Sequence, residues 1–88
     1  MNIKKILVPF TIQEKIVKKH KVFREELEAV FFDEPYFFKT RNDNYYAIGF
    51  IGEYVTVVFK FDEGQAIITT AYRSSEWQKN LYKRKCKK

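Results

Sequence analysis

Between Tyr45 and Tyr72 three apolar runs, rich in β-branched and aromatic residues, follow one another with only short polar breaks. Few folds accommodate that pattern. Tyr45-Tyr46-Ala47-Ile48-Gly49-Phe50-Ile51 leads through Gly52-Glu53 into Tyr54-Val55-Thr56-Val57-Val58-Phe59-Lys60-Phe61, and Asp62-Glu63-Gly64 separates this from Gln65-Ala66-Ile67-Ile68-Thr69-Thr70-Ala71-Tyr72. Each break holds a glycine, the residue that supplies positive φ in a tight hairpin, so the stretch reads as an antiparallel meander. In the middle run Val55, Val57, Phe59 and Phe61 alternate with Tyr54, Thr56, Val58 and Lys60. Alternation with period two predicts a half-buried strand with one face toward the core.

The flanking sequence supplies what packs on that sheet. Ile3 to Val8 is short and apolar, and Pro9 confines it to an edge or terminal strand. Thr11 with Glu14 fits a capping box, predicting a helix to about Lys19 that places Ile12 and Ile16 on one face and Lys18, Lys19 and His20 in its last turn. Phe23, Leu27, Val30 and Phe31 predict a second helix from about Phe23 to Phe32, ended by Asp33-Glu34-Pro35. Tyr36 to Thr40 reads as the first meander strand, and Arg41-Asn42-Asp43-Asn44 as a turn. Ser75 with Gln78 is a second capping box, opening a helix with Trp77 and Leu81 on its apolar face that reaches about Tyr82 and frays from Lys83. The expected fold is α+β: two N-terminal helices and a C-terminal helix on a four-stranded antiparallel meander, with room for a short extra N-terminal strand.

With 88 residues the chain reads as a single domain, 1–88, in which 45% apolar content can form one core. Cys86 is the lone cysteine, so no internal disulfide forms, and no Cys/His cluster has metal-ligand spacing. No apolar run is long enough to cross a membrane, and a reducing cytoplasm is the expected compartment. The net charge of +6 is uneven. Residues 1–72 hold ten basic and ten acidic side chains, whereas 73–88 hold seven and one, so the excess lies in a basic tail from about Lys83. Such a tail suits contact with nucleic acid or simply keeps a small protein soluble.

Glycine-rich phosphate loops, H-E-x-x-H and paired Cys-x-x-Cys motifs are absent from the sequence. Ser74 and Ser75 stand beside a helix start, where serine ordinarily caps. One chemistry compatible with the remaining residues is RNA cleavage without metal or cofactor, in which the ribose 2'-OH attacks the adjacent phosphate. It requires a base, an acid and cations. His20 is the only histidine, Lys18, Lys19, Arg24, Arg41 and Arg73 offer charge, and Tyr45, Tyr46, Tyr54 and Tyr72 offer rings for stacking. Each also has a plain structural reading: a histidine ending a helix closes it, and strand tyrosines pack.

The segment Glu14 to Val22, followed by Glu25-Glu26-Leu27-Glu28-Ala29-Val30-Phe31, resembles the K-H-G-V and E-E-V-E-E-V-F opening of BrnT-type toxins, the ribonuclease halves of bacterial type II toxin-antitoxin pairs. Tyr45 to Gly49 is similar to the family's Y-Y-A-hydrophobic-G strand, Gly52 to Phe59 to its G-R-x-L-x-V-V-F strand, and Ile68 to Ala71 to its I-I-x-T-A strand end. Ser75, Gln78 and Tyr82 keep the spacing of the final T-x-x-E-x-x-x-Y helix. The resemblance implies a RelE-like fold, inhibition of translation by RNA cleavage, and neutralisation by a BrnA-like DNA-binding antitoxin through which alone operator DNA is reached. It also implies His20 and Lys19 as catalytic residues. Three positions depart from the pattern: the arginine of T-A-R falls on Tyr72 with Arg73 one place later, the arginine of G-R falls on Glu53, and the glycine after the histidine is Lys21. The expected site is therefore His20, Lys19, Arg73 and Tyr72, with Lys18, Arg24, Arg41, Tyr46, Lys79 and Lys83 contacting RNA. The alternative is a catalytically inactive module of the same fold, acting through an antitoxin partner or non-specific nucleic-acid contact.

Overall fold

Eight elements follow one another: β1 (Lys5–Leu7), α1 (Phe10–His20), α2 (Arg24–Phe32), β2 (Tyr36–Lys39), β3 (Tyr45–Phe50), β4 (Tyr54–Asp62), β5 (Gln65–Arg73) and α3 (Glu76–Lys85). The computed structural model describes residues 2–40 and 42–86. The meander forms as the alternation predicts, with β2, β3, β4 and β5 antiparallel in turn. The sheet is nevertheless five-stranded and mixed, in the order β1-β5-β4-β3-β2, which corrects the four-stranded antiparallel expectation. β1 lies parallel to β5, pairing Lys5, Ile6 and Leu7 with Gln65, Ala66 and Ile67. Without it the start of β5 would carry an unpaired backbone edge.

The helices divide between the two faces of the sheet. Ile16 of α1, Val22 of the connection and Leu27 and Val30 of α2 join Ala47, Val55, Val57, Phe59, Ala66, Ile68 and Ala71 in one buried apolar cluster. Gly49 permits close approach here: a Cβ at that position would lie 3.0 Å from Val30 Cγ1. α3 packs on the opposite face through Gln78 and Tyr82. As a result β4 is buried on both faces from Val55 to Phe59, where the alternation suggested a single core face.

Three helix details also differ from expectation. Helix α1 starts at Phe10 with Pro9 as its N-cap, and Thr11 lies inside the helix, so the Thr11–Glu14 capping box does not form. Pro9 has no N–H to leave unpaired, and its carbonyl accepts the first helical bond from Gln13 N at 2.9 Å. Phe23 stands outside α2 as its N-cap and is half exposed; Glu26 Oε1 accepts from its backbone N–H at 3.1 Å. In α3 the expected Trp77–Leu81 core face is replaced by Gln78 and Tyr82, leaving Trp77 57% exposed, and the helix continues beyond Tyr82 to Lys85.

Candidate active site

The site is created by an irregularity in β5. Val58 pairs with Thr70 but Phe59 pairs with Ile68, so Thr69 is an extra residue opposite β4. A bulge of this kind reverses which side chains meet which face. Ala66 and Ile68 point into the helical core before it, and Ala71 does so after it. Arg73 falls on the same side as Ala71, while Tyr72 turns toward α3.

Tyr72 is held by a polar chain running through the sheet–α3 junction. Gln78 Nε2 donates to the Tyr72 hydroxyl at 2.9 Å. The Gln78 carbonyl oxygen, Oε1, accepts from Thr56 Oγ1 at 3.0 Å and from the backbone N–H of Ser75 at 2.9 Å. Thr56 and Ser74 share a further hydroxyl bond of 2.7 Å. Thr56 and Gln78 are fully buried, so these bonds exist in a low-dielectric setting where they fix geometry strongly. Gln78 therefore both closes the start of α3 and orients Tyr72. Burial pushes the Tyr72 phenol above its ordinary value; the bond from Gln78 opposes this in part, and interactions with Tyr46 reinforce it. The phenol remains protonated at neutral pH and is a proton donor.

His20 meets Tyr72 from the side. β1 pairs with β5 only as far as Ile67, and α1, which packs along β5, ends with His20. The two rings lie 6.1 Å apart at 53°. His20 and Tyr72 are both half-buried, and so is Tyr46. Lys18 and Lys19 are exposed on the last turn of α1.

The other candidate cations are placed elsewhere. Arg73 bridges Glu26 Oε2 and Glu53 Oε1, each at 2.8 Å, and donates to the Lys21 carbonyl at 3.1 Å. It ties the α1–α2 corner to the β3–β4 turn on the side of the sheet away from the Tyr72 hydroxyl. Arg24 pairs with Glu28 at 3.1 Å and lines a cleft of about 400 Å³ with Ile3, Lys4, Ile6 and Phe31. Lys79 lies near Glu76, and Lys83 sits 5.5 Å over the Tyr54 ring. Arg41 lies outside the described residues, as do Lys87 and Lys88 of the tail.

Two of the three departures from the BrnT pattern meet in this arrangement: Glu53 and Arg73 are partners. Lys21, the third, has φ +57° at the C-cap of α1, a left-handed conformation that glycine adopts without strain. Residues that sequence reading passed over are Gln78 and Thr56, which orient Tyr72, and Phe38 and Trp77, whose rings lie 6.2 Å apart beside Tyr46. The available signal was the capping-box position of Gln78 three residues after Ser75.

The ribonuclease toxin BrnT of Brucella abortus, known from a crystal structure at 1.1 Å resolution, is similar to this chain with a TM-score of 0.68 and 24% identity, over 82% of this chain and 97% of that one. The chain has the BrnT-type toxin fold. No family model and no curated protein matches the sequence. The likeness is one of fold, and in this chain that fold comprises three helices and a mixed five-stranded sheet. Among the described residues no helix is long and apolar enough to cross a membrane.

Proposed function

We propose that this chain is the toxin component of a type II toxin-antitoxin pair, a RelE-like, metal-independent ribonuclease that inhibits translation in the bacterial cytoplasm. The observation that carries the reading is the His20–Tyr72 pair, a potential base beside a protonated phenol, in a BrnT-type fold. His20 takes the proton of a ribose 2'-OH, the oxygen attacks the adjacent phosphorus, and the P–O5' bond breaks. Tyr72 delivers its proton to the leaving 5'-oxygen, giving a 2',3'-cyclic phosphate and a 5'-hydroxyl. Lys19, exposed and adjacent to His20 in sequence, supplies positive charge for the phosphorane-like transition state. A BrnA-like DNA-binding antitoxin would neutralise the toxin.

Single-turnover cleavage of RNA tests this. His20→Ala is expected to slow the chemical step by roughly 10²- to 10⁴-fold, the worth of a positioned proton-transfer group, with RNA binding nearly intact. Tyr72→Phe, which keeps the ring and removes the proton, is expected to slow it within the same range. A His20→Ala protein that cleaves as fast as the parent would overturn the assignment.

A further inference from the structure

Beside the His20–Tyr72 pair lies a line of rings that the cleavage chemistry does not use. Trp77, on the first turn of α3, meets Phe38 edge-on at 6.2 Å. Phe38 lies 5.0 Å from Tyr46 on its other side and is stacked at 5.9 Å on Tyr36. Tyr46 in turn interacts with the Tyr72 hydroxyl. The line runs from the β2 edge across the sheet to β5, about 14 Å at three strand spacings, and ends at the reacting pair.

Trp77 is 57% exposed, although a tryptophan ordinarily gains by burial. One cation is placed for a phosphate backbone along the same surface. Lys60 is exposed and, by strand alternation, lies on the α3 side of β4 with Thr56 and Val58. An exposed indole continuous with half-buried rings, an exposed lysine and a candidate cleavage site has the chemistry of a surface that stacks bases and follows a strand.

We propose that Trp77, with Phe38 and Tyr46, forms a stacking platform for the unpaired bases of single-stranded RNA next to the scissile nucleotide. This rests on the ribonuclease reading above and adds its substrate class: unpaired rather than duplex RNA, since inside a duplex both faces of a base are covered by its stacked neighbours. Stacking tolerates every base, so the platform binds without strong sequence preference.

Trp77 is the only tryptophan, so its emission reports on this surface alone. The probe is a fluorescein-labelled, mixed-sequence 2'-O-methyl RNA pentanucleotide, which lacks the attacking hydroxyl and stays intact in the presence of the parent protein. Anisotropy gives the affinity, and Trp77 emission is followed with the unlabelled oligonucleotide. Binding is expected to quench Trp77. Trp77→Ala is expected to weaken affinity roughly 5- to 150-fold, the range for one stacked base, while Trp77→Phe retains most of it. An RNA hairpin closed by base pairs is expected to bind more weakly than the open strand.

An oligonucleotide that binds without changing Trp77 emission, or binds Trp77→Ala as tightly as the parent, overturns the platform and leaves the ribonuclease reading standing. Complete absence of oligonucleotide binding overturns both. A blue shift of Trp77 emission with protein concentration alone, together with dimer formation in sedimentation, would show that the face serves a second copy of the chain and overturn the proposal.

Discussion

The two faces of the sheet are built to different ends. Under α1 and α2 the side chains are aliphatic and aromatic, interlocked through Phe59, which takes Phe31 edge-on at 5.3 Å and Tyr45 stacked at 5.7 Å. Under α3 the buried groups include the polar side chains of Thr56, Ser74 and Gln78, joined by hydrogen bonds, and Tyr46 and Trp77 beside them stand partly or largely open to solvent. An apolar interior needs only shape, whereas a buried polar chain contributes to stability only when each member is satisfied. The helical face thus anchors the domain, and the α3 face spends part of its burial on holding Tyr72 in place.

The largest expected effect falls on the helical face. Phe59→Ala removes the ring on which Phe31, Phe37 and Tyr45 converge and should cost about 3–5 kcal/mol, a large share of the stability of a domain this size. Urea midpoints measure the loss. Cleavage per folded molecule should stay at the parent value, because Phe59 lies across the sheet from Tyr72; a proportionate fall in rate would show that the two faces are not separable.

Gln78→Ala reverses the pattern. It removes the donor to Tyr72, an acceptor for Thr56 and the side chain that closes the start of α3, at a cost of about 1–3 kcal/mol. It should also slow single-turnover cleavage of the folded protein and lower the apparent pKa of the alkaline limb less than the loss of burial alone would. Gln78 donates to the phenol oxygen and so favours the phenolate, whereas burial raises the phenol. A group raised in the folded state adds stability that is fully present below its unfolded value and is lost as pH rises through the folded value. For Tyr72 that window lies above about 10. A Gln78→Ala protein with parental cleavage would show that Tyr72 needs no orienting partner.

Sequence alone disclosed the meander because β-rich runs with glycine breaks have few other solutions, and both Gly52 and Gly64 do take positive φ. It did not disclose the bulge. Ile67-Ile68-Thr69-Thr70 offers two equally good alternations, and only pairing with Val58 and Phe59 decides between them, so the side toward which Tyr72 and Arg73 point was not readable. His20 and Tyr72 were each legible as residue types, but their meeting depends on β1 stopping at Leu7 and α1 running back along β5, which is tertiary. Trp77 misled for a simple reason: its spacing from Leu81 suits a buried stripe, and nothing local says that Gln78 supplies the buried face instead.

Lys21 offers a smaller test on the helical side. Its left-handed backbone costs an L-residue about 1 kcal/mol that glycine avoids, so Lys21→Gly should raise stability by about that amount. The bond that Arg73 makes to the residue 21 carbonyl involves only backbone and should survive. A lower urea midpoint would mean that the lysine side chain contributes more than the strain costs.

The smallest effect belongs to the clamp that joins the corner of the helical face to the turn at the start of β4. Arg73 has two carboxylate partners and remains 40% exposed, so each pair is a surface interaction worth roughly 0.2–1 kcal/mol, and Glu53→Gln should lose no more than that. Glu26 provides a pH signature. Burial pushes its carboxyl up, but the hydrogen bond from Arg73, the one from the Phe23 backbone and the Arg73 charge outweigh that and hold it below the ordinary 4.5. A group depressed in the folded state adds stability that is fully present above its unfolded value and is lost as pH falls through the folded one. Glu26→Gln should therefore differ most from the parent above about pH 4.5 and converge with it under more acidic conditions. The difference should also shrink in high salt, which screens an exposed pair. If instead Glu53→Gln changes cleavage while leaving the urea midpoint untouched, the clamp reaches through β5 to Tyr72, and the two faces are coupled at this corner.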